Sequence, residues 1–288
     1  MLPAVLLAIT AAVTTGCGSA SEHTATHAPA AAPSAPADGA GLVLPLDRYL
    51  LGPHDTVRVA RAYRVLLNDC ASGFGITPPP DPPAAPLPRT WDERRYGITD
   101  LTLAAAAGYR LSVHPPPVVP RPTSASNPHT LDVLTGRGAH VVAGRTVPAG
   151  GCSGEATRHL NAGAPRDADP DLAQNLSQRS YFRSKSDQRV LAAQRSWSTC
   201  MNGHGYHYPD PLAAAADKRF RSWPVTPLEI ATAKADIACK NQTDLVGIRS
   251  AVESDLQRAD IAANRPALEK VSRVNDAQLA VVRALGLR

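Results

Sequence analysis

Five cysteines in 288 residues constrain this chain more than any other residue type. Cys17 follows an apolar run near the start, while Cys70, Cys152, Cys200 and Cys239 are spread over the remainder. No C-x-x-C pair occurs among them. An even count behind a secretory-type N-terminus implies two disulfides, and four cysteines allow three connectivities. The economical pairing is Cys70–Cys152 and Cys200–Cys239, one bridge in each half of the chain. Each closes a long loop, worth roughly 4 kcal/mol on the chain-entropy model.

An internal echo shows what two of these cysteines share. Residues 70–82 read CASGFGITPPPDP and residues 200–211 read CMNGHGYHYPDP. Both follow a stretch of helical spacing, share C-x-x-G-x-G and lead into Pro-Asp-Pro. The echo keeps Cys and Gly but drops Met201, His204 and His207, whose counterparts are Ala71, Phe74 and Thr77. A thiol at a helix end and a glycine stop are therefore what repeats. The competing reading of Cys200, Met201, His204 and His207 is a Cu(I) site built from soft sulfur and nitrogen ligands. An oxidising compartment favours the disulfide, so no metal or cofactor is expected.

The compartment is set by MLPAVLLAITAAVTTGCGSASEHT. Leu2 to Val13 is apolar and uncharged, too short to span a bilayer, and small residues follow it, so residues 1–16 read as a signal peptide. Thr14-Thr15-Gly16-Cys17 resembles a bacterial lipobox, in which Cys17 becomes the acylated first residue. Thr14 stands where Leu is usual, and no Lys or Arg precedes the apolar run; the alternative is plain secretion with a free Cys17. Several acyl chains at about 0.8 kcal/mol per buried methylene anchor a protein essentially for good. Residues 17–41, rich in Ala, Pro and Ser with no apolar period, read as a disordered, lipid-anchored spacer.

Order is expected from Leu42 onward, in an N-terminal half (42–165) and a C-terminal helical half (166–288). Val59, Tyr63, Leu66 and Cys70 recur on one face of a helix capped by Asp55 and running to Ser72. Proline-rich connectors follow at 77–88 and 113–128, separated by a short helix capped by Thr99 and stopped by Gly108. HTLDVLTGRGAHVVAGRTVPAGGC (129–152) has the β-branched residues and glycines of a short strand or hairpin, and a helix runs from Cys152 to Leu160.

In the second half, Val190, Ala193, Trp197 and Cys200 mark a helix over 186–203. Asp210 caps another over 212–218. TPLE at 226–229 is a capping box opening a helix through Cys239, with Leu228 and Ala235 on its inner face. Helices over 245–263 and 267–285 flank Pro266, their charges on solvated faces. The expected fold is mainly α: a disulfide-stapled helical protein with a minor β-hairpin.

Aromatics make up only 5% of the residues and prolines number 27, so much of the chain cannot be core. The net charge of +5 is scattered, leaving no basic stripe for nucleic acid. Arg greatly outnumbers Lys, a composition typical of high-GC coding rather than of an Arg-specific site. Walker, H-E-x-x-H and G-x-S-x-G motifs are absent. Ser153, Glu155 and His159 sit close in sequence, but Glu155 and His159 are i, i+4 neighbours of the ordinary surface kind. Trp197, His204, Tyr206, His207, Tyr208 and Trp223 are candidates for lining a small ligand pocket.

Five segments, LPLDRYL, RRYGITD, VPAGGCSGEA, WSTCMNGHGYHYPDP and ADIACKNQTDLVG, resemble a family of secreted actinobacterial lipoproteins without an assigned activity. That resemblance implies an envelope location and carries over no catalytic residue. The expected protein is a non-catalytic envelope lipoprotein, held at the membrane by its lipid and binding an envelope protein, a peptide or a wall ligand. The alternative is a secreted enzyme with an unrecognised site.

Overall fold

The computed structural model describes residues 41–76, 87–112, 114, 129–221 and 223–287. The expected signal peptide, Cys17, the expected spacer up to residue 40 and most of both proline-rich connectors lie outside the described residues.

The described chain is mainly helical. A 3-10 turn at Asp47–Tyr49 leads into α1 (Pro53–Ser72). Gly52 takes the N-cap position and Pro53 the first turn, where a missing N–H costs nothing. The expected cap, Asp55, instead pairs with Arg58 inside the first turn. The next helix, α2 (Leu101–Ala107), is capped by Asp100, whose carboxylate accepts from Leu103 N at 2.9 Å; Thr99 lies one residue too early. Gly108 ends α2 at φ 58°, and a Cβ there would stand 2.6 Å from Glu229 Cγ. Residues 129–152 are more helical than their β-branched content suggests. They hold α3 (Thr130–Thr135), then a two-residue hairpin pairing β1 (Val141–Val142) with β2 (Arg145–Thr146), then the start of α4 (Gly151–Leu160).

The second half contains α5 (Leu172–Ser184), α6 (Gln188–Gly203), α7 (Pro211–Ala215), α8 (Pro227–Gln242) and α9 (Leu245–Ala284). As the sequence predicts, Asp210 caps α7 and Thr226 caps α8. The 40 residues of α9 are two helical arms meeting at a kink at Asn264, two residues ahead of Pro266, where φ is −122°. This helix is the strut of the molecule, contacting α1, α4, α5, α6, α8 and the Asp47–Tyr49 turn. Elements from either side of residue 165 therefore pack on each other, α1 and α4 on α9 and α2 on α8.

With so few aromatics, the core divides into several small clusters. The largest gathers Trp197 and Met201 of α6 with Ala233, Ile237 and Cys239 of α8. A second holds Ala71, Phe74, Val133, Val142 and Cys152. Each contains one disulfide: Cys70–Cys152 joins α1 to α4 with Cα atoms 5.5 Å apart, and Cys200–Cys239 joins α6 to α8 at 5.7 Å. The sequence echo is an echo of geometry as well. Both α1 and α6 close through a left-handed glycine, Gly75 at φ 71° and Gly205 at φ 82°. The next N–H reaches back five residues in each, Ile76 to Ala71 O and Tyr206 to Met201 O.

Candidate functional site

Two of the segments quoted above, LPLDRYL and RRYGITD, come together beside α9. Leu46 N donates to Gln257 Oε1 at 2.9 Å and Asn275 Nδ2 to Tyr49 O at 3.0 Å, which fastens the Asp47–Tyr49 turn to α9. Across from it runs the turn 89–97, tied to the other wall by Trp91 Nε1 donating to Leu51 O at 2.9 Å. Between the walls lies a pocket of about 200 Å³, lined by Leu42, Leu50, Leu51, Pro53 and Trp91, with Asp47 and Asp92 as its acids. Trp91 is half-exposed at the rim, whereas Asp92 is only 3% exposed. Thr90 Oγ1, also on the wall, is buried without a hydrogen-bond partner.

Asp92 is held by two opposing influences. Burial and the neighbouring Asp47 carboxylate, with which it is hydrogen-bonded, push its carboxyl up to about 7. Arg95 pulls the other way from 3.2 Å, but that guanidinium is shared. It also binds the fully buried Glu253 carboxylate of α9 through Nε at 3.0 Å and through Nη2, and donates to Ser177 O at 2.8 Å. Glu253 accepts further bonds from Tyr96 OH at 2.8 Å and Ser180 Oγ at 3.0 Å, and Gln257 completes the set. Burial, then the Glu253 charge, raises the Tyr96 hydroxyl far above its ordinary value. Arg249, one turn before Glu253, lies 4.8 Å from the Tyr96 ring and 4.5 Å from the Tyr181 ring, with Nε and Nη2 buried and unbonded. The charges expected on solvated faces of α9 thus include two that are not: Glu253 is fully buried and Asp260 is 8% exposed. No periodicity signal marks a charge that enters a core already paired. The nearest clue was a lone acid inside the apolar run LPLDRYL.

The residues singled out from the sequence lie elsewhere, around Cys200–Cys239. Trp197 cannot line a pocket: it is fully buried, its Nε1 donating to Asp236 Oδ1 at 3.0 Å. Tyr206 and Tyr208 pack half-buried against the same cluster, and Tyr208 OH donates to Asp217 Oδ2 at 2.6 Å. His204 and His207 are exposed, His207 Nδ1 lying 2.7 Å from Asn202 Oδ1. Trp223 lies under the Arg110 guanidinium at 4.1 Å. Ligand atoms of Cys200, His204 and Cys239 fall within 4.8 Å of one another, but both sulfurs are committed to an S–S bond of 2.03 Å, and a metal needs thiolates. Met201 is fully buried in the core. Glu155 and His159 are 3.9 Å apart on the exposed side of α4, as their spacing predicts.

On α8 the inner face carries charge rather than the expected Leu228, which is 40% exposed. Lys240 and Asp236 are buried together, Nζ donating to Asp236 Oδ2 and to Ile98 O, both at 2.9 Å. Burial pushes the Asp236 carboxyl up and the Lys240 ammonium down, each toward neutrality. Glu229 does not complete the capping box. It turns inward and accepts from Tyr109 N and Arg110 Nη2, both at 3.3 Å.

Two disulfides mark an oxidising, extracytoplasmic compartment. Among the described residues no helix is long and apolar enough to cross a membrane. Comparison with protein-family models, with curated proteins and with solved structures finds no match.

Proposed function

We propose that the chain is a non-catalytic binding protein of the cell envelope, held outside the cytoplasmic membrane by acylation of Cys17, with the pocket between Leu42–Pro53 and Arg89–Asp92 as its ligand site. The pocket is the observation that carries the reading. It is walled by apolar side chains and braced on the α9 strut, the usual form of a small-molecule site. The lipobox-like Thr14–Cys17 and the resemblance to secreted lipoproteins support the address, as do the disulfides. In cells expressing wild type and Cys17→Ser, we expect wild-type protein to sediment with membranes and the variant to be released. Wild type found wholly in the soluble fraction would refute the anchor.

One observation favours the enzymatic alternative: Asp92, its carboxyl pushed up to about 7, is hydrogen-bonded to a second acid, Asp47, an arrangement suited to acid–base work. Against it, Asp92 is sealed to 3% exposure and engaged by Arg95.

A further inference from the structure

We propose that Cys200, Cys239 and His204 form a zinc site masked by their own disulfide: once a dithiol reductant opens the bridge, two thiolates and one imidazole hold a single Zn²⁺ between α6 and α8. The site is independent of what the pocket beside α9 binds. Its ligand atoms are already gathered, the two sulfurs and a His204 ring nitrogen lying within 4.8 Å of one another. Among the described residues no other group of three or more His, Cys, Asp or Glu side chains is set this way. Cys200 and His204 stand one turn apart at the end of α6, i and i+4, so both side chains leave the same face, and Cys239 meets them from α8. Around tetrahedral zinc, with Zn–S about 2.3 Å and Zn–N about 2.0 Å, such atoms stand roughly 3.5–4 Å apart. The sulfurs therefore have to part by about 2 Å and the widest gap to close by about 1 Å, movements on the scale of side-chain rotation.

The sister bridge supplies the contrast. α1 ends in the same glycine geometry and carries Cys70, but Phe74 stands where α6 has His204, and it is buried in the cluster with Ala71, Val133 and Cys152. His204 is exposed, so its imidazole is open to an arriving metal. Access also directs the reduction. Cys239 is fully buried while Cys200 is half-buried, so a reductant thiolate reaches the Cys200 sulfur and expels the Cys239 thiolate. The reductant's second thiolate then attacks its partner sulfur in the mixed disulfide and releases the Cys200 thiolate. Two electrons have passed to the protein, and the reductant leaves as its own disulfide. Zinc takes the cysteines as thiolates, and their protons go to buffer. Two thiolates, a neutral imidazole and Zn²⁺ carry no net charge, which suits the edge of an apolar cluster. The fourth position is left for water or for Gln242 Oε1, 3.4 Å from Cys200 Sγ.

The test is zinc titration of the purified full-length chain, oxidised and after reduction with dithiothreitol and anaerobic desalting. The reduced chain is expected to take up one Zn²⁺, and the oxidised chain to bind at least about tenfold more weakly, because no thiolate is offered. Cobalt in place of zinc should give thiolate-to-metal charge-transfer absorption. In peptide maps, zinc should slow alkylation of Cys200 and Cys239 by iodoacetamide and leave the rates at Cys70 and Cys152 unchanged. His204→Phe places the sister site's residue at an exposed position, so the fold and the oxidised bridge are retained. It should weaken zinc binding by the reduced chain at least about tenfold. A Cys200–Cys239 bridge that survives dithiothreitol in the folded chain, a reduced chain that takes up no zinc at micromolar metal, an oxidised chain that binds as tightly as the reduced one, or a His204→Phe variant that binds as tightly as wild type each overturns the site.

Discussion

Lys240 and Asp92 are two charges treated differently by the same interior. Lys240 has a full partner: it is 1% exposed, and its ammonium is bonded to Asp236, which in turn accepts from Trp197. Removing one member strands the other, so Lys240→Met should cost about 3–5 kcal/mol. Removing both as Lys240→Met/Asp236→Leu should cost markedly less than the sum of the single changes, because no charge is left alone. Urea unfolding of the four species measures the coupling; additive costs would show the pair is not a unit. Asp92 has only a share of Arg95, and its answer is to keep a proton. Its folded-state value of about 7 lies above the ordinary 3.8, so the native state holds a proton that the unfolded chain has released between those values. The stability this contributes is complete below about pH 4, drains as pH rises toward 7 and is flat above. The steepest loss approaches about 1.4 kcal/mol per pH unit. We expect the unfolding free energy of wild type, relative to Asp92→Asn, to fall between pH 5 and pH 8; a constant difference would contradict the buried acid pair.

At the level of helices, each disulfide fastens one pair within one hydrophobic cluster. Cysteine-to-alanine replacement at 200 and 239 should therefore cost about 2–5 kcal/mol and speed amide exchange in α6 and α8 while leaving α1 and α4 protected. Uniform loosening would argue against two separate staples. Helices whose buried faces carry Val, Leu, Trp or Cys at helical spacing were legible in the sequence: α1, α4, α6, and the two arms of α9 about Pro266. So were the caps at Asp210 and Thr226 and the glycine stops. α5 was not, because its inner face is Ala173, Leu176, Ser177, Ser180 and Ser184. Serine reads as surface, yet here the hydroxyls enter the core satisfied, Ser184 Oγ donating to its own helix at Tyr181 O (2.8 Å) and Ser180 Oγ to Glu253 of α9 (3.0 Å). The short strand or hairpin expected within 129–152 is present at Val141–Thr146, but α3 ahead of it carries no sequence signal, because a six-residue helix packed on α4 needs only Val133 inside. The acid pair escaped for a similar reason. Asp47 and Asp92 lie 45 positions apart in sequence, and only the packing of two turns on α9 unites them.

Across the whole molecule, small apolar clusters are threaded by a polar network running from Asp92 through Arg95, Glu253 and Gln257 to the backbone of Leu46. Such a body relies on its covalent joins more than a larger, aromatic-rich core would. The longer join sets how the protein meets a protease. Cys70 and Cys152 are 82 positions apart, and both proline-rich stretches, 77–88 and 113–128, fall between them. A peptide bond hydrolysed anywhere from 71 to 151 therefore leaves two fragments joined through sulfur, migrating as one species until a reductant is added. The same holds for residues 201–238 within the second loop. To part the C-terminal helices from the N-terminal body, cleavage has to find residues 153–199, where α4, α5 and α6 leave only short connections. Breakage within either proline-rich stretch, 77–88 or 113–128, thus releases nothing.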